Sequence, residues 1–163
     1  MKGFFNKILR INLKTKTYKE EPIFDSVYET YSGGKGLGIH LLMKENPVGV
    51  DPLSPQNKLI FCLGPVTDSR IYGSCRHGAF TKSPLTGIFS ESYSGGKAAE
   101  SMSRTGYDAF VFEQTSGEPV WIEISDQNVI FHDAKDLWGK ETYSTEDEVL
   151  KRTNKKGAAA LVI

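Results

Sequence analysis

Cysteine and histidine are scarce in this chain, with two Cys and three His in 163 residues. Cys62 and Cys75 lack C-x-x-C spacing and sit among apolar or small residues. That excludes a disulfide framework and a zinc site, and reads as two reduced thiols. His40, His77 and His132 stand apart from one another and from carboxylates at any metal-binding spacing, so each reads as a structural or surface histidine. No Ser-His-Asp or Cys-His arrangement can be argued, and Asp133, Asp136, Glu146 and Glu148 read as solvated or helix-cap charges. An excess of charge is absent too: 20 Lys and Arg balance 20 Asp and Glu. Zero net charge argues against bulk electrostatic partners, whether nucleic acid or an anionic membrane. No run of like charge reads as an interaction tail. The N-terminal MKGFFNKILRINLKTK scatters charges among its apolar residues, so it is neither a signal peptide nor a membrane span, and a cytoplasmic protein is expected.

What is present is material for a β-rich core: nine Phe, seven Tyr and two Trp in a chain long enough for one real domain. Ile8–Leu13 and Tyr18–Glu21 read as a hairpin around Lys14–Thr17. Gly36–Glu45 reads as a helix, with Leu37, Leu41 and Leu42 on one face, ended by Pro47 and Pro52. Lys58–Leu63 is apolar enough to be a buried strand. Arg76–Thr81 and Ile88–Ser92 read as a second hairpin around Ser83–Gly87. A helix then carries Ala98, Ala99 and Met102 inward and stops at Gly106, before a strand over Tyr107–Phe112. Pro119–Ser125 and Val129–His132 form a third hairpin, and Thr145–Glu148 matches a helix capping box. The closing run Gly157–Ile163 reads as the start of a strand, which predicts a chain that continues into a longer polypeptide. The expected fold is α+β: two packed, mostly antiparallel sheets with a few short helices, in one domain over residues 1–163.

The pentapeptide Tyr-Ser-Gly-Gly-Lys occurs twice, at Tyr31–Lys35 and Tyr93–Lys97. Around each copy the order is hairpin, Gly-Gly turn, helix, strand, which predicts an internal structural duplication and two related sheets about a pseudo-twofold axis.

Gly33-Gly34-Lys35-Gly36-Leu37-Gly38 fits neither a full phosphate loop nor the dinucleotide fingerprint, so its glycines read as turn and packing residues. The second copy has more to offer. Ser94-Gly95-Gly96 opens a helix, whose free N–H groups suit a phosphate, and Arg76 can add a bidentate charge. An ordinary tight turn and a surface arginine remain the simpler reading from residue types alone.

The runs DPLSPQNKLIFCLGPVTDS, GSCRHG, TKSPLTG, YSGG and RTGYDAFVFEQ, in this order and spacing, resemble the N-terminal domain of tungsten-containing aldehyde ferredoxin oxidoreductases. The resemblance runs from KILRINL through HDAKDLWGK to the final apolar run. It implies an α+β base with internal duplication on which a bis-molybdopterin cofactor with tungsten (or molybdenum) rests. It also implies oxidation of a small aldehyde to a carboxylic acid, with electrons passing through a [4Fe–4S] cluster to ferredoxin. Because dithiolene sulfurs hold the tungsten, the protein's part is binding, orientation and tuning. By position, Arg76 would contact the pterin or its phosphate. Tyr93, Ser94 and Gly95 would approach the pterin, with the Tyr93 carbonyl reaching a Mg2+ that bridges the pterin phosphates. The sequence departs from the family where Tyr93 replaces a common Asn and Cys75 replaces a Gly. A main-chain contact survives the first change, whereas a side-chain contact does not. Cluster cysteines, the second pterin segment and acid/base groups lie beyond Ile163 in relatives, so this stretch alone is expected to be inactive and to depend on the remainder of the enzyme. Two other functions fit the same residues: a non-catalytic assembly module, or a family member reducing an aromatic acyl thioester.

Overall fold

The computed structural model describes all residues from Met1 to Ile163. A six-stranded sheet forms the centre, built from β1 (Lys7–Asn12), β2 (Thr17–Pro22), β3 (Leu59–Leu63), β4 (Arg76–Lys82), β5 (Phe89–Gly95) and β6 (Ala109–Glu113) in the order β2-β1-β6-β3-β4-β5. A second sheet is the hairpin of β7 (Val120–Ile124) and β8 (Val129–Asp133). Every neighbouring pair is antiparallel except β1 with β6. Four helices complete the chain: α1 (Asp25–Tyr31), α2 (Gly34–Glu45), α3 (Lys97–Arg104) and α4 (Thr142–Thr153). The α+β architecture of two mostly antiparallel sheets is as the sequence predicts.

The central strands are apolar on both faces because both are covered. On one face Ile8, Ile60, Cys62, Phe80, Ala109 and Val111 pack against Leu37, Leu41 and Leu42 of α2 and Tyr28 of α1. On the other, Leu9, Ile11, Leu63 and Phe110 meet Val129 and the flanking Ile122, Ile124 and Phe131 of the second sheet, with Met102 of α3 alongside. Helix α2 approaches the first face so closely that a β-carbon on Gly38 would overlap the Phe80 ring. The glycine is therefore a packing requirement of this layer rather than a helix weakness.

Local chemistry sets the turns. Asn12 Oδ1 accepts from the Lys14 and Thr15 amides at 3.1 and 3.0 Å, an Asx turn that, with Lys16 at φ 53°, closes the first hairpin. Asp108, buried just before β6, accepts from the Phe5 and Asn6 amides and from the Tyr28 hydroxyl at 2.6 Å. It ties the N-terminal segment and α1 to the sheet, and burial together with this bond pushes the Tyr28 hydroxyl pKa up.

The repeated order of elements is present. Strand, strand, helix, strand occurs as β1-β2-α2-β3 and again as β4-β5-α3-β6, and exchanging the two sets reverses the order of the central sheet onto itself. The two units share one sheet instead of forming one each, which corrects the expectation of two related sheets. Strand direction also breaks a strict twofold, since β1 runs parallel to β6 while β4 runs antiparallel to β3.

Other departures are local. Helix α1 is an addition, seven residues long and too short to leave a clear 3.6-residue pattern. The box at Thr145–Glu148 does not cap α4, which starts earlier with Glu141 as N-cap; Thr145 lies inside the helix and its hydroxyl donates back to the Glu141 carbonyl at 3.0 Å. Residues 158–163 form no strand.

Candidate functional site

The candidate site lies where β4 and β5 pair at the edge of the central sheet. Arg76 opposes Gly95, His77 opposes Ser94, and Gly78 opposes Tyr93. The hairpin register thus brings all four residues singled out from the sequence to one end of two strands. The pleat then divides them. Arg76, Gly78, Tyr93 and Gly95 share the α2-side face with Phe80, whereas Ser94 stands with His77 on the opposite face.

Tyr93, Ser94 and Gly95 are the end of β5, not a turn, which corrects the sequence reading. Only Gly96 leaves the strand, at φ 92°, where it forms the N-cap of α3 without a side-chain cap. The two copies of the pentapeptide therefore differ. In the first, Tyr31 ends α1, Ser32 turns at φ 56°, and Gly33 caps α2.

Arg76 is exposed, and its main chain is fixed by a Thr67 hydroxyl bond to its carbonyl at 3.0 Å. Its guanidinium lies against Gly95: a β-carbon there would fall 2.9 Å from Nη1 and 3.1 Å from the Cys75 carbonyl. Arg10, Arg104 and Arg152 are paired with carboxylates, while Arg76 has none within ion-pair distance. An unpaired guanidinium over a bare glycine backbone can take an anion or the edge of a flat polar ligand.

Tyr93 is half exposed. Its hydroxyl donates to Glu91 Oε2 at 3.1 Å, and Glu91 Oε1 is 2.7 Å from Lys35 Nζ in the first turn of α2. Desolvation, then the Glu91 bond, pushes the phenol pKa up. Sequence reading missed Lys35 and Glu91, and nothing in the local pattern ties positions 56 residues apart. Ser94 is exposed, with only a 3.4 Å contact to the neighbouring Gly95 carbonyl.

The histidines are separate, each beside an aromatic ring: His40 on Tyr31, His77 near Phe61 and His132 on Trp121. His77 is buried with Nδ1 unpartnered, and burial lowers its pKa. Both cysteines are free, and burial pushes the Cys62 thiol far up. No group of three or more His, Cys, Asp or Glu side chains is arranged to hold a metal ion. No helix is long and apolar enough to cross a membrane.

Comparison with known proteins gives this geometry a context. A family model described as the N-terminal domain of aldehyde ferredoxin oxidoreductase matches residues 8–163. The tungsten-containing aldehyde ferredoxin oxidoreductase of Pyrococcus horikoshii is 41% identical over 146 residues, covering 90% of this chain and 24% of the relative. The enzyme of the same description from Pyrococcus abyssi is 39% identical over 156 residues, covering 96% of this chain and 26% of the relative. Among solved structures, the active-site complex BamBC of benzoyl coenzyme A reductase, in complex with 1,5-dienoyl-CoA, superposes with a TM-score of 0.91 at 29% identity, covering 94% of this chain and 24% of that one. The chain spans about a quarter of the length of these relatives.

Proposed function

Since the chain belongs to the aldehyde ferredoxin oxidoreductase family through its N-terminal domain, we propose that it is the cofactor-supporting part of a tungsten (or molybdenum) pterin enzyme. That enzyme oxidises a small aldehyde to a carboxylic acid and passes the electrons to ferredoxin, in the cytoplasm. The observation that carries the reading is Arg76: exposed, without a carboxylate partner, and laid over Gly95 where a β-carbon would crowd it.

The residues present fit the implied bis-molybdopterin. Its phosphate suits the Arg76 guanidinium, and its flat ring system suits the planar face that the guanidinium presents by lying against Gly95. When bound, the group supplies the two-electron chemistry of the tungsten centre. This chain's own share would be to bind and orient it: Arg76 would supply charge and forked donors, Gly95 lets that guanidinium lie against the strand, and the Tyr93 main-chain carbonyl would be available to a Mg2+ that accompanies the pterin phosphates. A carbonyl contact at Tyr93 does not depend on its side chain, so replacement of the common Asn leaves it possible. Ser94, on the other face, is left a main-chain role at most. The [4Fe–4S] cluster falls to polypeptide outside this chain, since Cys62 is buried in the core and Cys75 stands alone.

A second reading has one observation in its favour, the close fold match to a benzoyl coenzyme A reductase component at 29% identity. A member acting on an aromatic acyl thioester would use the same cofactor seat. The higher identity to aldehyde enzymes, 39–41%, favours the first.

The deciding experiment is Arg76→Ala in the full-length enzyme, with metal and pterin content measured beside aldehyde-dependent viologen reduction. Loss of tungsten or molybdenum and of pterin is expected. Parent-level content and activity would remove Arg76 from the site, and a full-length protein without either metal would leave the assembly-module function instead.

A further inference from the structure

We propose that Lys35 and Glu91 are positioning residues for Tyr93, together holding its phenol ring as one wall of the cofactor seat on the Arg76–Gly95 face. This rests on the cofactor reading above and extends it to residues with no assigned role.

The Tyr93 ring is poorly confined by its own strand. β5 is an edge strand, and the cross-strand neighbour on this face is Gly78, which offers no side chain. The ring lies over that glycine, since a β-carbon at Gly78 would be 3.0 Å from Tyr93 Cε1. Phe80 meets it edge-on, with centroids 6.0 Å apart and planes at 82°. A half-exposed tyrosine on an edge strand has room for more than one χ1 well. The Glu91 carboxylate removes that freedom. One oxygen accepts the phenol proton at 3.1 Å and the other is 2.7 Å from Lys35 Nζ.

Lys35 belongs to α2 and Glu91 to β5, so the hairpin alone cannot make the arrangement. Nor does stability account for it. The Lys35 and Glu91 side chains are 58% and 28% exposed, and ion pairs of that kind contribute little. What the pair does fix is direction. Residues 91, 93 and 95 lie on one face, with the Tyr93 and Gly95 main chains about 7 Å apart along the strand at two residues of rise, and the bond to Glu91 draws the ring along the strand towards Phe80. An aromatic wall beside a free guanidinium and a bare backbone suits a flat heterocycle carrying a phosphate.

The test uses the full-length enzyme with 3-fluorotyrosine placed at position 93 alone, and compares Lys35→Met, Glu91→Ala, Lys35→Arg and Arg76→Ala. Two quantities are read: the 19F resonance, and metal plus pterin content. Lys35→Met and Glu91→Ala are expected to shift the resonance and lower cofactor content several-fold, with Lys35→Arg keeping both near the parent. An unmoved resonance overturns the proposal. So does a moved resonance with parent cofactor content, and if Arg76→Ala still lowers content, the cofactor reading stands without it. If Arg76→Ala also leaves content unchanged, both fall together.

Discussion

The Arg76 guanidinium covers Gly95, its partner across β4 and β5, at a separation that leaves no room for a β-carbon between them. Gly95→Ala would place that carbon 2.9 Å from Nη1 and 3.1 Å from the Cys75 carbonyl. The arginine side chain can swing away; the carbonyl belongs to a backbone pinned by its neighbours. The expected result is a modest loss of stability, about 1 kcal/mol at the low end of overpacking costs. Cofactor content should fall more than stability does. Thermal unfolding and metal analysis on the same preparation check both.

Gly38→Ala should be more severe. The added carbon overlaps the ring of Phe80, which is fully buried between α2 and the sheet. A loss of about 3 kcal/mol is expected from overpacking. Denaturant titration reads it, and Phe80→Leu in the same chain should recover part of the loss by making space.

His77 gives the protein a pH-dependent stability near neutrality. It is buried and its folded pKa is lowered by burial, whereas the unfolded chain takes a proton near about 6.5. Below that pH the unfolded state holds more protons than the folded one, so acidification favours unfolding. The unfolding free energy should fall by up to about 1.4 kcal/mol per pH unit as pH drops through this window. His77→Gln should flatten that slope, and a pH series of denaturant midpoints is the measurement.

Arg10 is the hub of a partly buried charge cluster. Its guanidinium reaches Glu45 at 2.7 Å, Glu21 at 2.9 Å and Glu113 at 3.4 Å, and its side chain is 11% exposed. Its hydrogen bond is the main cause holding the Glu21 pKa at about 2. Glu21 therefore adds stability above its unfolded pKa of about 4.3, and that stability is lost as pH falls from there toward 2. Arg10→Met leaves Glu45 without a cation and leaves Glu21 and Glu113 only Lys19 and Lys58, and should cost about 3 kcal/mol at neutral pH. Lys7→Met, at the exposed pair with Glu20, should cost under about 1 kcal/mol. Chemical denaturation of the two variants compares them directly.

Much of the architecture was legible along the chain because its signals are local. Lys58–Leu63 reads as buried by continuous apolar character, and β3 lies between β4 and β6 with both faces covered. Lys14–Thr17 reads as a turn, and the side chain of Asn12, at the end of the strand before it, builds it. Arg76 and the Ser94-Gly95-Gly96 segment read together as parts of one anion site, and the hairpin register sets Arg76 and Gly95 opposite each other.

Where the sequence misled, distant partners decided. Two identical pentapeptides take different shapes because Tyr93–Gly95 find β4 to pair with, while Tyr31 ends a helix that packs on α2. Ser94 was grouped with its neighbours, yet strand alternation sends it to the other face. Lys35 and Glu91 carry no signal that links them in the sequence, and only the packing of α2 on the sheet brings Lys35 to Glu91 beside Tyr93.

The sequence by itself thus determined most of the strands, the helices after each Gly-Gly pair and the family pattern they follow, since hydrophobic period and turn chemistry act within a few residues. The tertiary structure alone decided which face each side chain occupies, that the repeated units share one sheet, and that Arg76 stays unpaired over Gly95 while Lys35 is drawn to Glu91. Those outcomes depend on contacts between residues far apart in the chain, and such contacts exist only once the layers have packed.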